Sequence, residues 1–357
     1  MTVSGSHNYS PQERGELNQR EFDILEAVIG SFIATARPVG SRALSRSVRL
    51  GLSPASIRNT MSDLEEKGYL YQPFQSAGRV PTDKAYRLHV NNIDRYRRNA
   101  PRSAVRVLEG LGLDQDVDRV LRRAAEALSV VTQELGVGLE PVVDEGVLEG
   151  VDLIRLSSER VMLVLNIGRG LVKTIFVELD RSVDGLRLDR LAILLREKLV
   201  GLTLREIRRT GRDRLKEAVE GEADPLNVFV QSADTMFELN IGDRQLVLGE
   251  TSKLATQPEF SSEGPLRSLI SLTDKKLQLV ELMKRRAGGE GLSISIGSEN
   301  EMNELSNFTI VTDTYRMGKM RGIIGVIGPT RMSYSRVISI VEYTSRMLSQ
   351  ILEEKNR

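Results

Sequence analysis

The chain has 357 residues, which is long for one ordinary domain and predicts two or three. Hydrophobic residues make up 40% and charged residues 28% of it, a composition typical of globular proteins. Cysteine is absent and His7 and His89 are the two histidines, which excludes disulfide frameworks and thiolate zinc sites and leaves little for histidine-based catalysis. No apolar stretch approaches the roughly 20 residues of a membrane helix, and no signal peptide is evident. We therefore expect a cytoplasmic protein that is not an enzyme and needs no metal or cofactor.

Charge is distributed unevenly along the chain. Residues 1–106 carry 16 Lys and Arg against 10 Asp and Glu, whereas the remainder carries 34 against 39. A basic segment is typical of proteins that contact a polyanion such as nucleic acid. An excess this small is equally typical of a solvated face, so the placement of the basic residues has to decide between the two.

The first elements in chain order are two helices. Residues 1–15 are polar and predict a disordered tail. Asn18 is suited to cap a helix, and Glu21, three residues later, can reach back to the cap. Apolar residues then recur at helical spacing until Pro38, which ends this helix. A short second helix is predicted after Ser41.

A third helix is predicted from Ser53, a capping residue followed by Pro54 at a favoured first position, to Gly68. Its apolar stripe consists of Ile57, Met61 and Leu64. The opposite side carries Ala55, Asn59 and Ser62, flanked by Ser56 and Arg58. Its acidic residues, Asp63, Glu65 and Glu66, all lie in the second half. This polarity is typical of a helix-turn-helix, in which the start of the second helix enters the major groove and its far end leaves the DNA.

Base contacts are assigned to the start of this helix. An arginine can bond guanine and an asparagine can bond adenine, so Arg58 and Asn59 are the candidates for base reading, helped by Ser56. Ser53 is assigned to phosphate.

The next segment predicts a β-hairpin wing. Tyr69 to Tyr71 indicates one strand, the turn-rich loop up to Gly78 follows, and Arg79 begins a second strand that Pro81 stops. Ser76 and Arg79 are assigned to phosphate. The complete predicted DNA-binding set is Ser53, Ala55, Ser56, Arg58, Asn59, Ser76, Gly78 and Arg79.

A fourth helix begins after Thr82, and its His89 is expected to lie on the helix surface. The basic residues that follow either contact the DNA backbone or are simply solvated; they are Arg95, Arg97, Arg98 and Arg102.

The remaining 250 residues predict an α+β arrangement split by an insertion. A helix is predicted at about 115–135. Strands then follow at 137–143, 147–156, 161–167 and 171–179. Helices are predicted at about 186–200 and 203–220, followed by a mixed stretch at 225–256 and a linker at 257–265. A single helix at about 266–286, three strands at 292–296, 308–312 and 321–327, and a terminal helix at about 333–354 complete the chain.

The glycines of this part do not indicate a phosphate-binding loop. Gly322, Gly325 and Gly328 are followed by Pro329 and Thr330, without the Lys-Ser/Thr of a P-loop. A glycine-containing last strand that leads into a helix is the favoured interpretation.

The run from Ser53 to Gly68, SPASIRNTMSDLEEKG, followed by Gln75 to Thr82, QSAGRVPT, resembles the HrcA family of bacterial heat-inducible transcription repressors. Further matches at Arg37 to Ser41 and at Gly325 to Met332 extend the resemblance over nearly the whole chain. One departure is Phe74-Gln75, where the wing of the family often carries a His-Thr pair, and this leaves the wing-tip contact open.

The resemblance implies a dimeric repressor that binds a long inverted-repeat operator, CIRCE, ahead of chaperonin and related heat-shock genes. It implies that the GroEL chaperonin supports the active state. It also implies a winged helix-turn-helix (16–104) and then a GAF-like domain in two parts (105–184 and 265–357), interrupted by an inserted dimerising domain (185–264). We expect the GAF-like domain to be mainly structural.

Two alternatives stay open. The first is a winged-helix regulator controlled by a small-molecule effector in the GAF-like domain. The second is an enzyme that carries a DNA-tethering domain, against which the missing cysteines and scarce histidines argue.

Overall fold

The computed structural model describes residues 15–47, 51–93, 100–110, 117–142, 146–168, 171–178, 185–216, 246–261 and 263–354. Nearly all of the predicted N-terminal tail lies outside the described residues. So do Arg95, Arg97 and Arg98 of the predicted basic segment and most of the mixed stretch at 225–256.

The structure is an α+β fold of twelve helices and ten strands within the described ranges. The helices are α1 (Gln19–Thr35), α2 (Ser41–Ser47), α3 (Pro54–Glu66), α4 (Asp83–Asn91), α5 (Arg102–Glu109), α6 (Val117–Thr132), α7 (Gly185–Leu199), α8 (Leu204–Lys216), α9 (Thr251–Ala255), α10 (Glu263–Asp274), α11 (Lys276–Ala287) and α12 (Tyr334–Glu354). The strands are β1 (Leu70–Tyr71), β2 (Val80–Pro81), β3 (Leu135–Val142), β4 (Leu148–Arg155), β5 (Arg160–Ile167), β6 (Leu171–Glu178), β7 (Leu246–Leu248), β8 (Ser293–Ile296), β9 (Phe308–Met317) and β10 (Met320–Pro329).

The N-terminal unit, residues 15–93, contains α1 to α4 and the antiparallel hairpin β1–β2. The predicted capping box at the start of α1 is present: Asn18 Oδ1 accepts from the Glu21 backbone N–H, and the Asn18 N–H donates back to Glu21, both at 3.0 Å. Lys67 Nζ, just after α3, lies 2.8 Å from the Glu21 carboxylate. Burial opposes the charged form, but the hydrogen bonds from Lys67 and Asn18 hold the pKa of Glu21 below its ordinary value. The first turn of α1 is thereby tied to the end of α3.

A five-stranded antiparallel sheet, in the order β7-β3-β10-β9-β8, forms the centre of the C-terminal part. Alternate residues of its strands point to opposite faces. On one face, Val311, Ile324 and Val326 are buried beneath α6 and α12. On the other, Ile310 and Ile323 are buried beneath α11. Because helices cover both faces, β10 reads as an almost continuous apolar run.

Helix α6 lies unusually close to β3 because two glycines face it. A Cβ atom at Gly136 would lie 1.9 Å from the carbonyl oxygen of Ala125, and one at Gly138 would lie 2.8 Å from the Leu121 side chain. These glycines are needed for the close approach of the helix to the sheet.

The strands β4, β5 and β6 form a separate three-stranded antiparallel sheet. Its start is bound to the α7–α8 connection, because the Leu148 N–H donates to the Leu202 carbonyl at 2.9 Å and the Gly201 N–H donates to the Leu148 carbonyl at 2.8 Å. Helix α7 packs on β4. The predicted boundary near residue 185 therefore falls inside a group of elements, β4 to α8, that pack together. The backbone hydrogen bonds of Leu148 with Gly201 and Leu202, which are far from it in sequence, join the sheet to these helices.

Two predicted elements differ from the structure. The single helix at 266–286 is two helices, α10 and α11, separated at Lys275, whose φ of −96° and ψ of 39° are not helical. The predicted linker at 257–265 instead contains a 3₁₀ turn, Pro258–Ser261, and the start of α10. Phe260 in this turn is buried and stacks on Phe308 with ring centroids 5.5 Å apart, so packing holds a segment that its sequence predicts to be loose.

Helix α4 joins the N-terminal unit to the C-terminal part. Arg87 forms an ion pair with Glu299 and donates to the Ile294 carbonyl at 2.9 Å. Asp83 accepts from the Ser298 backbone N–H at 2.8 Å. The expectation of a surface histidine at position 89 is wrong: His89 is half-buried at this junction, 2.8 Å from the Glu26 carboxylate, because its ring packs edge-on against Tyr334 of α12.

Within the described ranges, none of the helices is both long and apolar enough to cross a lipid bilayer.

The first prediction concerns Glu134, which is buried between α6 and β3. Burial raises the pKa of its carboxyl from an ordinary 4.5 to about 8, against the hydrogen bond from Gln257, which lowers it. Between these values the folded state holds a proton that the unfolded state releases, so stability falls as pH rises through this window. The expected loss over the whole window is on the order of 5 kcal/mol, at about 1.4 kcal/mol per pKa unit.

Glu134→Gln removes the titration and keeps an acceptor for Gln257. We expect its free energy of unfolding, measured by chemical denaturation, to exceed that of the parent by a difference that grows as the pH rises from 5 to 8. Glu353→Gln, on the exposed side of α12, is the control. A constant difference between the Glu134→Gln variant and the parent across this pH range would contradict the assignment.

Candidate nucleic-acid interface

Helix α3 begins as its sequence predicts. Ser53 is the N-cap, with extended φ and ψ of −68° and 152°, and its side chain accepts from the Ser56 backbone N–H at 3.2 Å. Pro54 occupies the first turn. This cap uses the hydroxyl of Ser53 as an acceptor and leaves its proton available to an external oxygen.

Packing fixes the rotation of α3. Ile57, Met61 and Leu64 are buried in the core of the N-terminal unit, as predicted. Ala55, Arg58, Asn59 and Ser62 are exposed. The side predicted to read bases therefore faces solvent.

Arg58 and Asn59 occupy the centre of this exposed side. Among the described residues, neither side chain has a hydrogen-bond or ion-pair partner. An uncompensated guanidinium beside a free amide can bond base edges or phosphates without first breaking an internal contact.

Ser56 lies at the edge of this side and has a partner. The Nη2 group of Arg20, at the start of α1, donates to the Ser56 hydroxyl at 2.5 Å and to the Ser56 carbonyl at 3.1 Å. Arg20 thus adds a positive charge next to the first turn of α3. It was not predicted, because this contact spans 36 positions of the chain.

At Gly78 the wing packs closely against Val39, in the segment before α2. A Cβ atom there would lie 2.5 Å from the carbonyl group of Val39, so only glycine permits the paired hydrogen bonds between Val39 and Arg79, each 2.9 Å. The requirement for glycine at position 78 is thus internal to the fold. Ser76, at the exposed tip, has a φ of 66°.

Arg79 occupies a different environment from the one expected of a free phosphate-binding side chain. Its Nη2 lies 2.7 Å from the Glu65 carboxylate at the end of α3, and its side chain is only 19% exposed. Its Nε is buried without a hydrogen-bond partner in the described part of the chain. The contact links the wing to α3, and the pairing of residues 65 and 79 is a tertiary feature that local sequence does not indicate.

Three arginines next to the predicted set are exposed and were not predicted. Arg37 precedes α2, and Arg42 and Arg46 lie one turn apart on it. None of the three forms an ion pair with another described residue. In a helix-turn-helix the first helix crosses the DNA backbone, which makes exposed arginines on α2 candidates for phosphate contacts. The spacing of four residues places Arg42 and Arg46 on one side of that helix, and this spacing is visible in the sequence.

The electrostatics of this surface favour an anion at the start of α3. The positive end of the helix dipole lies there, close to Arg58 and Arg20. The carboxylates of α3 lie at the other end, and that of Glu65 is already neutralised by Arg79. Among the described residues, no group of acidic or histidine side chains is arranged to bind a metal ion.

The comparisons with known proteins agree in one family. The family model described as the HrcA protein C-terminal domain matches residues 118–338. The chain is 38% identical to the heat-inducible transcription repressor HrcA of Chlorobium phaeobacteroides (strain BS1), over 94% of this chain and 99% of that one. It is 35% identical to the protein of the same name from Geobacter sulfurreducens, over 95% and 99%.

A solved structure described as that of a hypothetical protein has the same fold. Its TM-score is 0.62 at 22% identity, over 95% of this chain and 100% of that one. Because the sequence matches cover almost the full length of both partners, they apply to the N-terminal unit as well as to the C-terminal part. The chain therefore belongs to the HrcA family of heat-inducible transcription repressors.

Proposed function

We propose that this repressor binds an inverted-repeat operator of the CIRCE type ahead of heat-shock genes, as a homodimer whose two winged helices each read one half-site. The observation that carries the proposal is the exposed polar side of α3, where Arg58 and Asn59 have no partner among the described residues. A two-fold pair of such helices matches a palindromic operator.

Base reading is assigned to Arg58 and Asn59, at the start of a helix whose opposite side is buried. Their side chains suit guanine and adenine edges in the major groove. Ser53, Ser56 and Ala55 surround them and are small enough for the helix to approach the bases closely.

Backbone contacts are assigned to Arg42, Arg46 and the exposed wing tip at Ser76. Arg79, already paired with Glu65, is a positioning residue in this proposal: it fixes the wing relative to α3. Its phosphate contact would require release of Glu65 or a shared contact through its remaining N–H groups.

Dimerisation is assigned to the sheet β4–β5–β6. Its inner face is buried, while the outer face carries a cross-strand row in register, Ile154 opposite Met162 and Met162 opposite Phe176. Phe176 is 60% exposed and Ile154 is 45% exposed. Exposed apolar patches of this kind mark interaction surfaces, and a self-complementary one serves a two-fold dimer.

We accordingly propose that the inserted dimerising domain comprises the elements from β4 to α8. The GAF-like domain then consists of the five-stranded sheet with α6, α11 and α12. Strand pairing supports this division, since β3 and β7, which flank the insert, are neighbours in one sheet.

We further propose that the GroEL chaperonin supports operator binding, so that unfolded proteins occupying GroEL would lift repression. The test is operator footprinting with the purified full chain, with and without GroEL. Protection of both half-sites, strengthened by GroEL, is the expected result. Absence of protection at low salt would overturn the DNA-binding proposal, and indifference to GroEL would overturn the chaperonin part alone.

The second prediction concerns Arg58. Arg58→Ala should weaken operator binding by about 1–3 kcal/mol and relax the preference at one base pair of each half-site. Fluorescence anisotropy with operator and single-base variants measures both effects. Arg346→Ala, on the exposed side of α12, is the control. Unchanged operator affinity in Arg58→Ala would remove this residue from the base-reading set.

The third prediction separates phosphate contacts from base contacts. Arg42→Ala and Arg46→Ala should each weaken binding to operator and random duplex alike, and each should reduce the slope of log K against log salt by about 1. Titrations over a salt series check this. A loss confined to the operator sequence would instead assign these arginines to base reading.

The fourth prediction tests the dimer surface. Phe176→Glu should convert the dimer to a monomer and lower operator affinity, since a charge cannot be buried unpaired in an apolar interface. Ile193→Glu, at an exposed apolar position on α7, is the control and should leave the dimer intact. Sedimentation velocity measures the outcome, and a Phe176→Glu variant that stays dimeric would exclude this face.

A further inference from the structure

A cavity of about 340 Å³ lies between the end of α11 and β8, on the side of the C-terminal part that contacts α4. It is lined by Leu282, Arg285 and Arg286, by the turn at 289–291, by Ser293, and by residues 299–301. Its volume falls at the lower end of the range for small-ligand sites, about 300–1,000 Å³.

The charges around the cavity are matched with one exception. Its three carboxylates each have an arginine partner: Glu290 pairs with Arg316 at 3.0 Å, Glu301 pairs with Arg285 at 2.7 Å, and Glu299 pairs with Arg87. Arg286 has no carboxylate within ion-pair distance among the described residues. It is thus the one lining charge there without an opposite charge.

Hydroxyl groups hold the Arg286 guanidinium in place. Its Nη1 donates to Thr312 Oγ1 at 3.2 Å and to Ser293 Oγ at 3.4 Å, and its Nη2 donates to Ser295 Oγ. The Ser295 hydroxyl in turn donates to Asn300 Oδ1 at 2.6 Å, which orients it as an acceptor. Burial lowers the pKa of Arg286 to about 10, so the side chain is still charged at neutral pH.

This arrangement leaves two N–H groups of the guanidinium without an acceptor among the described residues. Of its five N–H groups, Nε–H and one Nη2–H have no acceptor in the described part of the chain. The Nε–H and the Nη2 group of a guanidinium lie along one edge, and a carboxylate that approaches this edge can accept two parallel hydrogen bonds.

We propose that this cavity is a binding site for a small monocarboxylate, held by the N–H groups of Arg286 that have no acceptor among the described residues. At the roughly 30 Å³ that a water molecule occupies in the liquid, the cavity has room for roughly ten non-hydrogen atoms. Because Arg286 is the one lining charge without an opposite charge among the described residues, the site matches a single negative charge better than a multiply charged phosphate, whose further charges would have no partner.

The site is adjacent to the junction with the N-terminal unit. Glu299 lines the cavity and also pairs with Arg87 of α4, which donates to the carbonyl of Ile294 on β8. The neighbouring Ser298 binds Asp83 at the start of α4. A ligand beside Glu299 would favour or disfavour the ion pair between Glu299 and Arg87, and would thereby shift the orientation of α4. Operator affinity would then depend on the bound ligand. This second step rests on the proposed DNA-binding function.

The binding test uses the full chain without DNA. Acetate, lactate, pyruvate and benzoate are titrated by calorimetry, each against its neutral amide, which has nearly the same shape without the charge. We expect at least one carboxylate to bind, and its amide to bind at least about tenfold more weakly. Inorganic phosphate is expected to bind more weakly than that carboxylate.

Variants assign the binding to the site. Arg286→Gln should abolish carboxylate binding and Arg286→Lys should weaken it, because lysine keeps the charge but lacks the planar pair of donors. Arg346→Gln, remote from the cavity, should bind as the parent does, and unfolding curves establish that each variant is folded. Absence of binding by all four carboxylates, equal binding of the amides, or unchanged binding in a folded Arg286→Gln variant would overturn the proposal.

The coupling is measured separately, by operator affinity with and without the carboxylate that binds. We expect the ligand to change operator affinity in the parent chain, and Asp83→Ala, which removes the contact with Ser298 and leaves the cavity lining intact, to bind the ligand but weaken this effect. An operator affinity independent of the ligand would overturn the coupling and leave the site in place. A chain that binds the carboxylate but no operator would overturn the DNA-binding proposal alone.

Discussion

A helix that buries one stripe of its surface must expose the opposite one, and this constraint on α3 organises the N-terminal unit. Ile57 and Leu64 are completely buried, so the rotation of α3 about its axis is not free, and Arg58 and Asn59 are turned outward. The neighbours of α3 reinforce the same orientation. Arg20 binds its first turn, Lys67 connects its end to α1, and the Glu65–Arg79 pair attaches the wing. The exposed polar side chains of α3 thus stand on a helix whose orientation is fixed by packing.

The second constraint is the attachment of this unit through α4. The contacts combine charge with packing: Arg87 pairs with Glu299, and the rings of Tyr86 and Tyr334 lie 5.7 Å apart. Ion pairs whose side chains are about one-third exposed contribute little stability by themselves. Their role here is to fix an orientation. They set where the winged helix stands relative to the five-stranded sheet. The proposed binding of a two-fold operator by a dimer requires this position to be the same in both subunits.

The two sheets of the C-terminal part differ in how they are covered. Helices lie on both faces of the five-stranded sheet, whose central strand β10 is almost entirely buried. In the sheet β4–β5–β6, α7 packs on β4, and β5 alternates between buried and more exposed residues. Apolar side chains such as Phe176 nevertheless lie exposed on this sheet. This exposed apolar face is the one proposed above as the dimer surface.

Short-range signals in the sequence determined much of this structure. Caps at Asn18 and Ser53, and the stripe of α3, depend on residues three or four positions apart, and each was predicted correctly together with the exposed side that carries Arg58 and Asn59. Contacts between distant positions were decided by the tertiary structure alone. Three features are of this kind: the ion pair of Arg79 with Glu65, the partial burial of His89 against Tyr334, and the separation of β4–β6 from the larger sheet. The physical reason is that a local pattern specifies which face of an element is apolar, whereas ion pairing and strand pairing depend on which other faces and charges the folded chain brings beside it.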